Sequence, residues 1–300
     1  MATIFVAGAT GVVGRRAIPL LTAAGHRVTA VARSPDRRAF VEQLGATGVA
    51  VDLFDADAVR RAVAGHDVVI NLATHIPASN RVLLPGAWRE NDRLRGQGAS
   101  NLAQAARAAG AGRYIQESFA PVYPDSGDRW IDERVAILPA RYNRSVRSAE
   151  VAAERVGQDG ATAVILRFAV FYGADSDFTR DLVRSVKRGR ALVLGRPGAF
   201  LSSVSHDDAA TAVVAALGVP AGVYNVADDE PLRRREFVDS LAQALAVPPP
   251  RLPPVWARHL LGSLGETLAR SLRISNRKLR EQGWAPRYAS VREGWAAVLR

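Results

Sequence analysis

The chain has 300 residues, a formal net charge of +11, no cysteine and one methionine. That length holds one large domain or two closely joined ones, and a hydrophobic content of 48% excludes general disorder. The lack of cysteine excludes a disulfide scaffold, a zinc finger, an iron–sulfur site and a thiol nucleophile, and it suits a reducing compartment.

Ala2–Ala7 is an apolar run that reads as a strand, and Arg15–Ala24 reads as a helix closed by Gly25. The alternation continues with strand Arg27–Ala32, helix Arg38–Leu44, strand Val49–Val51, helix Asp55–Ala64 and strand Asp67–Leu72. A long helix, Glu90–Ala109, and strand Arg113–Gln116 follow. Repeated strand–helix units predict an α/β fold of Rossmann type, a doubly wound parallel sheet with helices on both faces. Right-handed crossovers then set every strand C-terminus, and the ligand crevice, on one edge. Beyond residue 170 the pattern loosens. Strand Ala163–Phe168 gives way to a loop with Gly and Asp, then helix Asp207–Leu217 and strand Val223–Val226. Val247–Pro254 holds five of the 16 prolines and reads as a linker or arm. The expected division is a dinucleotide-binding domain over 1–170, joined by about 202–226, with a smaller mixed substrate lobe from 171–201 and 227–300.

The longest uncharged run, Ala209–Ala227, carries Gly218, Pro220 and Gly222. It reads as helix, turn and strand rather than a membrane span. No basic segment precedes an apolar one at the N-terminus, so no signal peptide and a cytoplasmic location are expected. Only Lys187 and Lys278 are lysines; the other 38 cationic residues are arginines. The longest basic run, Arg233–Arg235, has no aromatic residues between its charges. Nucleic-acid proteins concentrate charge into a patch or stripe, so a solvated arginine-rich surface is the reading here. An anionic substrate or phosphate cofactor can use part of it.

The strongest motif is Gly8-Ala9-Thr10-Gly11-Val12-Val13-Gly14, set between the first strand and the first helix. Gly8 permits the tight turn, Gly11 lets backbone approach a pyrophosphate, and Gly14 lets the helix pack against the strand. The helix N-terminus adds free amides and a favourable dipole. Its spacing is G-x-x-G-x-x-G rather than G-x-G-x-x-G. At the end of the second strand an NAD enzyme usually has an acid for the ribose hydroxyls. Here stand Arg33 and Ser34, with Arg37 and Arg38 behind them. A guanidinium there pairs with a 2′-phosphate, so NADP(H) is favoured over NAD(H). Asp52 and Leu53 follow the third strand, where an adenine rests. Leu72, Ala73 and Thr74 follow the fourth, where small residues let backbone lie along a cofactor.

Further motifs are Asn71-Leu72-Ala73, Gly98-Ala99-Ser100-Asn101-Leu102, Leu166-Arg167-Phe168 through Phe171-Tyr172-Gly173, Val204-Ser205-His206-Asp207-Asp208-Ala209 and Tyr224-Asn225-Val226. With the glycine loop, they resemble the short-chain dehydrogenase/reductase superfamily in its extended and atypical, epimerase/dehydratase-like branches. The resemblance covers nearly the whole chain. It implies a catalytic Ser or Thr, a Tyr, and a Lys four residues after the Tyr. Tyr142-Asn143-Arg144-Ser145-Val146-Arg147-Ser148-Ala149-Glu150 resembles the Y-x-x-S-K-x-x-A-E segment, with Val146 in the lysine's place. The serine position falls on Phe119, with Ser118 one residue earlier.

A valine cannot hold ribose hydroxyls or acidify a phenol, so Tyr142 is expected near its ordinary pKa of about 10. It can still donate a hydrogen bond or a proton, and Arg144 or Arg147 can supply charge. Ser118 and Tyr123, after the fifth strand, are further candidates to hydrogen-bond a substrate carbonyl, against a purely structural use of their hydroxyls. His75, after the fourth strand, is a candidate acid or base. His206 reads as structural, beside a helix start at Asp207-Asp208. Asp132-Glu133 can hold a substrate hydroxyl or simply face solvent. No metal-ligand spacing and no G-x-S-x-G elbow occur. The leading expectation is an NADP-dependent oxidoreductase passing hydride to or from a small-molecule carbonyl or activated double bond. Its alternatives are a non-catalytic NADP(H) sensor and a non-redox epimerase-like or dehydratase-like enzyme. Related proteins often form homodimers through helices that here span about 90–110 and 140–157.

Overall fold

The computed structural model describes residues 1–78, 81, 82, 84 and 86–299. Its central sheet has seven strands: β1 (Thr3–Ala7), β2 (Arg27–Val31), β3 (Thr47–Val49), β4 (Val68–Asn71), β5 (Arg113–Phe119), β6 (Thr162–Phe168) and β7 (Gly222–Val226). They are parallel throughout, in the order β7-β6-β5-β4-β1-β2-β3. The expected doubly wound sheet is borne out. Strand order reverses between β1 and β4, and a crevice opens outside their C-terminal ends, where such sheets take ligands.

The helices used below are α1 (Gly14–Ala23), α2 (Pro35–Gln43), α3 (Ala56–Val63), α4 (Arg89–Arg93), α5 (Ala99–Ala108), α6 (Ser145–Gln158), α7 (Asp177–Lys187), α8 (His206–Ala215) and α9 (Arg234–Ala244). Successive strand residues face opposite sides. On β1, Ile4 and Val6 enter a core with Ile18 and Leu21 of α1 and Val213 of α8. Phe5 and Ala7 enter a second core with Val59 of α3, Leu102 of α5 and Ala153 of α6. Both faces are covered, which is why β1 and β4 are nearly continuous apolar runs. Each large apolar side chain so buried contributes about 1.5–3 kcal/mol. A third core joins Leu182 and Val186 of α7, Phe237 and Leu241 of α9, Tyr172, and Trp295 on the terminal helix Val291–Val298.

Several boundaries differ from expectation. Helix α2 starts at Pro35, because the Ser34 hydroxyl caps the Arg37 amide and a proline suits the first helical turn. Strand β5 runs on to Phe119 because it pairs with β6 along its full length. The single helix expected over 90–109 is three pieces: α4, a π-helical turn Leu94–Gly98, and α5. Gly96 and Gly98 weaken regular helix there, and the wider turn buries Arg95. Side-chain bonds pin the turn's neighbourhood to the β3–α3 loop, from Gln97 to the Phe54 carbonyl and from Asn101 to the Leu53 carbonyl. In the proline-rich stretch Arg251 bridges to Arg190, so that stretch lies as an arm against the loop after α7. Among the described residues no helix is long and apolar enough to cross a membrane.

Candidate functional site

The glycine loop lies at the crevice. Gly8 has φ +81°, a conformation that L side chains rarely adopt, and a Cβ there would strike the backbone of Leu72 and Ala73. A Cβ on Gly14 would strike the Gly8 carbonyl and Ala9. Gly11 is exposed at the tip beside Thr10. The Gly11 amide closes the turn onto the Gly8 carbonyl at 3.1 Å, whereas the amides of Val12 and Val13 have no backbone acceptor among the described residues. Unpartnered amides at a helix start, behind a glycine tip, fit a pyrophosphate. The residues present therefore suit a dinucleotide.

Around this loop lie the other candidate binding residues. Arg33 is exposed, and Ser34 sits beside it at the N-terminus of α2. Asp52 is exposed and accepts from the Phe54 amide at 3.0 Å, and Leu53 is buried. Leu72 is buried under Gly8. The Ala73 amide donates to the Asn71 side chain, and Thr74 is half-buried.

On the other side of the crevice, Tyr142 is half-buried in a short 3-10 turn ahead of α6, its ring edge-on to Trp88 at 5.1 Å. Val146 is buried. Burial pushes the Tyr142 phenol up to about 12, against the pull of Arg95, Arg270 and a bond to Asn143. The expectation of an ordinary phenol omitted that burial. The cations that bear on Tyr142 are also not those expected. Arg147 turns away to Glu154 at 2.7 Å, and Arg144 is exposed. Arg95 instead reaches in from the π turn, buried and paired with Glu117 at 2.9 Å.

Ser118 and Tyr123 are fully buried in one polar network. Ser118 donates to Glu150 at 2.6 Å, and Arg167 grips the same carboxylate through two bonds of 2.8 Å. A third Arg167 bond, also 2.8 Å, reaches the Tyr123 hydroxyl, which donates to Asn225 at 2.9 Å. Burial pushes Tyr123 up to about 12. Burial opposes charge on Arg167 too, but its bonds to Glu150 and Tyr123 hold it above the usual arginine range. With both hydroxyl hydrogens committed to protein acceptors, these two residues join α6, β5, β6 and β7 rather than face an open crevice. The Glu150–Arg167 pair was the residue-level reading missed in the sequence. Its signals were the A-E and L-R-F segments, whose partnership spans two elements.

His75 is exposed, its amide bonded to Asn91 at 3.0 Å and its ring 3.8 Å from Glu90. His206 is buried and bonds Asp175 at 3.0 Å. The cap of α8 is Ser205, whose hydroxyl accepts from the Asp208 amide, and not the acid pair. Asp175 also holds Arg15 and Arg16 at the start of α1. Glu133 is not solvated: it accepts from the Asn225 amide at 2.8 Å, and burial raises its pKa. Asp132 pairs with Arg134.

A family profile described as NAD(P)H-binding matches residues 8–220. The chain is 33% identical over 307 residues to a Streptomyces protein named 3-diazoavenalumate denitrifying reductase, covering 97% of this chain and 98% of that one. It is 26% identical to the 2-alkyl-3-oxoalkanoate reductase of Shewanella oneidensis, over 89% of this chain and 73% of the relative. Among solved structures, the human epimerase family protein SDR39U1 with NADPH matches at TM-score 0.84 and 19% identity, covering 99% of this chain and 98% of that one. The UDP-glucose 4-epimerase of Thermus thermophilus with NAD matches at TM-score 0.79 and 24% identity, covering 99% and 97%. At those identities the likeness to solved structures is one of fold.

Proposed function

We propose, from the premise that this chain belongs to the NAD(P)H-binding family and to the extended or atypical branch of the short-chain dehydrogenases/reductases, that it is an NADP(H)-dependent reductase whose acceptor needs no proton from the enzyme. The observation that carries this reading is Val146, buried where a lysine would acidify Tyr142. Phe119 at the serine position and a phenol pushed up to about 12 support it further. When bound, the nicotinamide supplies hydride. Reducing a carbonyl leaves an oxyanion that wants an acid of suitable pKa. An aryl diazonium that takes hydride loses dinitrogen and becomes an arene, and no oxyanion forms. Hydride addition to an activated double bond leaves a resonance-stabilised enolate, which water can protonate at the α-carbon. The name of the Streptomyces relative favours the diazo class.

In this reading Gly8, Thr10, Gly11, Val12, Val13 and Gly14 cradle the pyrophosphate. Arg33 and Ser34 take the 2′-phosphate at the start of α2, Asp52 and Leu53 the adenine, and Leu72, Ala73 and Thr74 the ribose side. Tyr142 lines the reaction space and orients the acceptor. Residues 1–170 with about 202–226 serve as the dinucleotide domain, since β7 completes the sheet. The remainder, built on the core around Trp295, serves as the substrate lobe.

Parallel calorimetric titrations with NADPH, NADP+ and NADH test the cofactor half. Turnover on matched aryl diazonium, enone and ketone acceptors tests the rest. Tight binding of both NADP forms, weak NADH, and turnover of a diazonium or enone above the ketone are expected. Binding without turnover on any acceptor would favour a sensor, and ketone preference would overturn the acid-free assignment.

A further inference from the structure

Arg270 follows the short helix Gly262–Leu268 and reaches back to the sheet edge. Its Nη1 donates to the carbonyls of Pro121 (3.3 Å), Tyr123 (2.9 Å) and Leu138 (2.9 Å). Those carbonyls belong to the turn after β5 and to the segment leading into Tyr142. The guanidinium therefore bridges the two stretches that frame the reaction space. Its own backbone is fixed as well, because the buried Arg234 donates to the carbonyls of Leu268 and Arg270, both at 2.7 Å.

Among the described residues the Nε and Nη2 of Arg270 meet no acceptor, and the side chain is only half-buried. Several neighbouring arginines are already engaged. Arg95 is held by Glu117 at 2.9 Å, Arg233 by Asp128 at 3.1 Å, and Arg196 lies 3.8 Å from Asp125. Arg234 is closed in by carbonyls. Arg270 differs in being held in place by three carbonyls while forming no ion pair among the described residues, although the charges of Asp125 and Glu266 bear on it. Two parallel donors on one planar edge match a carboxylate, which such a fork binds through two charge-assisted bonds.

We propose that Arg270 anchors the substrate by a carboxylate, held on the Nε–Nη2 edge of its guanidinium, with the reducible group turned toward Tyr142. This deepens the reductase reading and rests on it: Arg270 is a specificity residue for an acidic acceptor. Calorimetry on the NADP+-loaded protein tests it without turnover, using a series of aryl alkenoic acids and their methyl esters. Acids should bind about tenfold to a hundredfold more tightly than their esters. Arg270→Gln should erase that difference, and Arg270→Lys should keep only part of it. The melting temperature should fall as the three carbonyl bonds are lost, while NADP+ affinity and the binding of the esters stay near wild type; a loss confined to the acids separates the role from a purely structural one. Esters that bind as well as acids, binding by neither, or a preference unchanged in Arg270→Gln would overturn the proposal. Should Arg270→Gln fail to fold, an undiminished preference in Arg270→Lys would do the same. If the wild type does not take NADP+, the cofactor reading falls, and the acid–ester comparison on the free protein still decides this one.

Discussion

In the proposed reading, Arg33 carries the cofactor preference on a single exposed side chain. Arg33→Ala should weaken NADPH by about tenfold to a hundredfold, the loss of one or two charge-assisted bonds, and leave NADH within about twofold. Equal losses in the two titrations would remove the 2′-phosphate from the site. Tyr142 allows a sharper comparison, because one substitution is read on two acceptors. Tyr142→Phe should lower ketone turnover by about tenfold to a thousandfold if any exists, since a positioned acid contributes on that order. Turnover of an aryl diazonium should stay within about threefold. A large loss on both would mean that the hydroxyl is needed to hold the acceptor whether or not a proton is transferred, and the contrast between the two acceptors would fall. Among the glycines, Gly8→Ala meets both a positive φ and the Leu72–Ala73 backbone. The loop cannot yield without parting β1 from β4.

At the scale of elements, the Glu150–Arg167 pair ties α6 to β6, and through Ser118 and Tyr123 it reaches β5 and β7. Removing one partner strands a charge in a dry interior. Glu150→Ala should cost about 3–5 kcal/mol, measured by denaturant unfolding. Replacing both partners with apolar residues of similar size should cost far less. A double variant as unstable as Glu150→Ala would show that the network, not the stranded charge, holds the elements together. This network also marks where sequence reading stops. The A-E and L-R-F segments are legible as motifs, but what each side chain meets is decided by the packing of α6 on β6. The π turn at Leu94–Gly98 is similarly opaque: one extra residue in a turn leaves the apolar period of a 20-residue segment almost unchanged, while it alters which side chain faces Glu117. Strand–helix alternation, by contrast, survives errors of two or three residues in each boundary, because burial on both sheet faces needs only the apolar runs.

Across the whole molecule, Asp175 joins three places distant in sequence: Arg15 and Arg16 at the head of α1, the loop before α7, and His206 at the head of α8. Burial disfavours its charge, but the bond to Arg16 and the charges of Arg16, Arg15 and His206 outweigh that and lower it to about 2. A carboxylate lowered on folding stabilises the protein fully above its unfolded value of 3.8 and loses that contribution as pH falls through about 2. Melting temperatures between pH 5 and pH 2 should therefore fall more steeply for the wild type than for Asp175→Asn, which should already be less stable at neutral pH. Parallel profiles would mean that the bridge carries no net stability.

The sheet order has a consequence for synthesis. β6 lies one strand from the edge, and its outer neighbour, β7, is not made until residues 222–226 leave the ribosome. Until then the nascent chain holds a long apolar strand with one side of its backbone unpaired, a template for pairing with another chain. A chain ending near residue 220 should therefore aggregate even though it contains the whole glycine loop, and recovery of soluble protein from such a truncation measures it. The last strand of the sheet is thus also the stopper that makes the earlier ones safe to expose to a crowded cell.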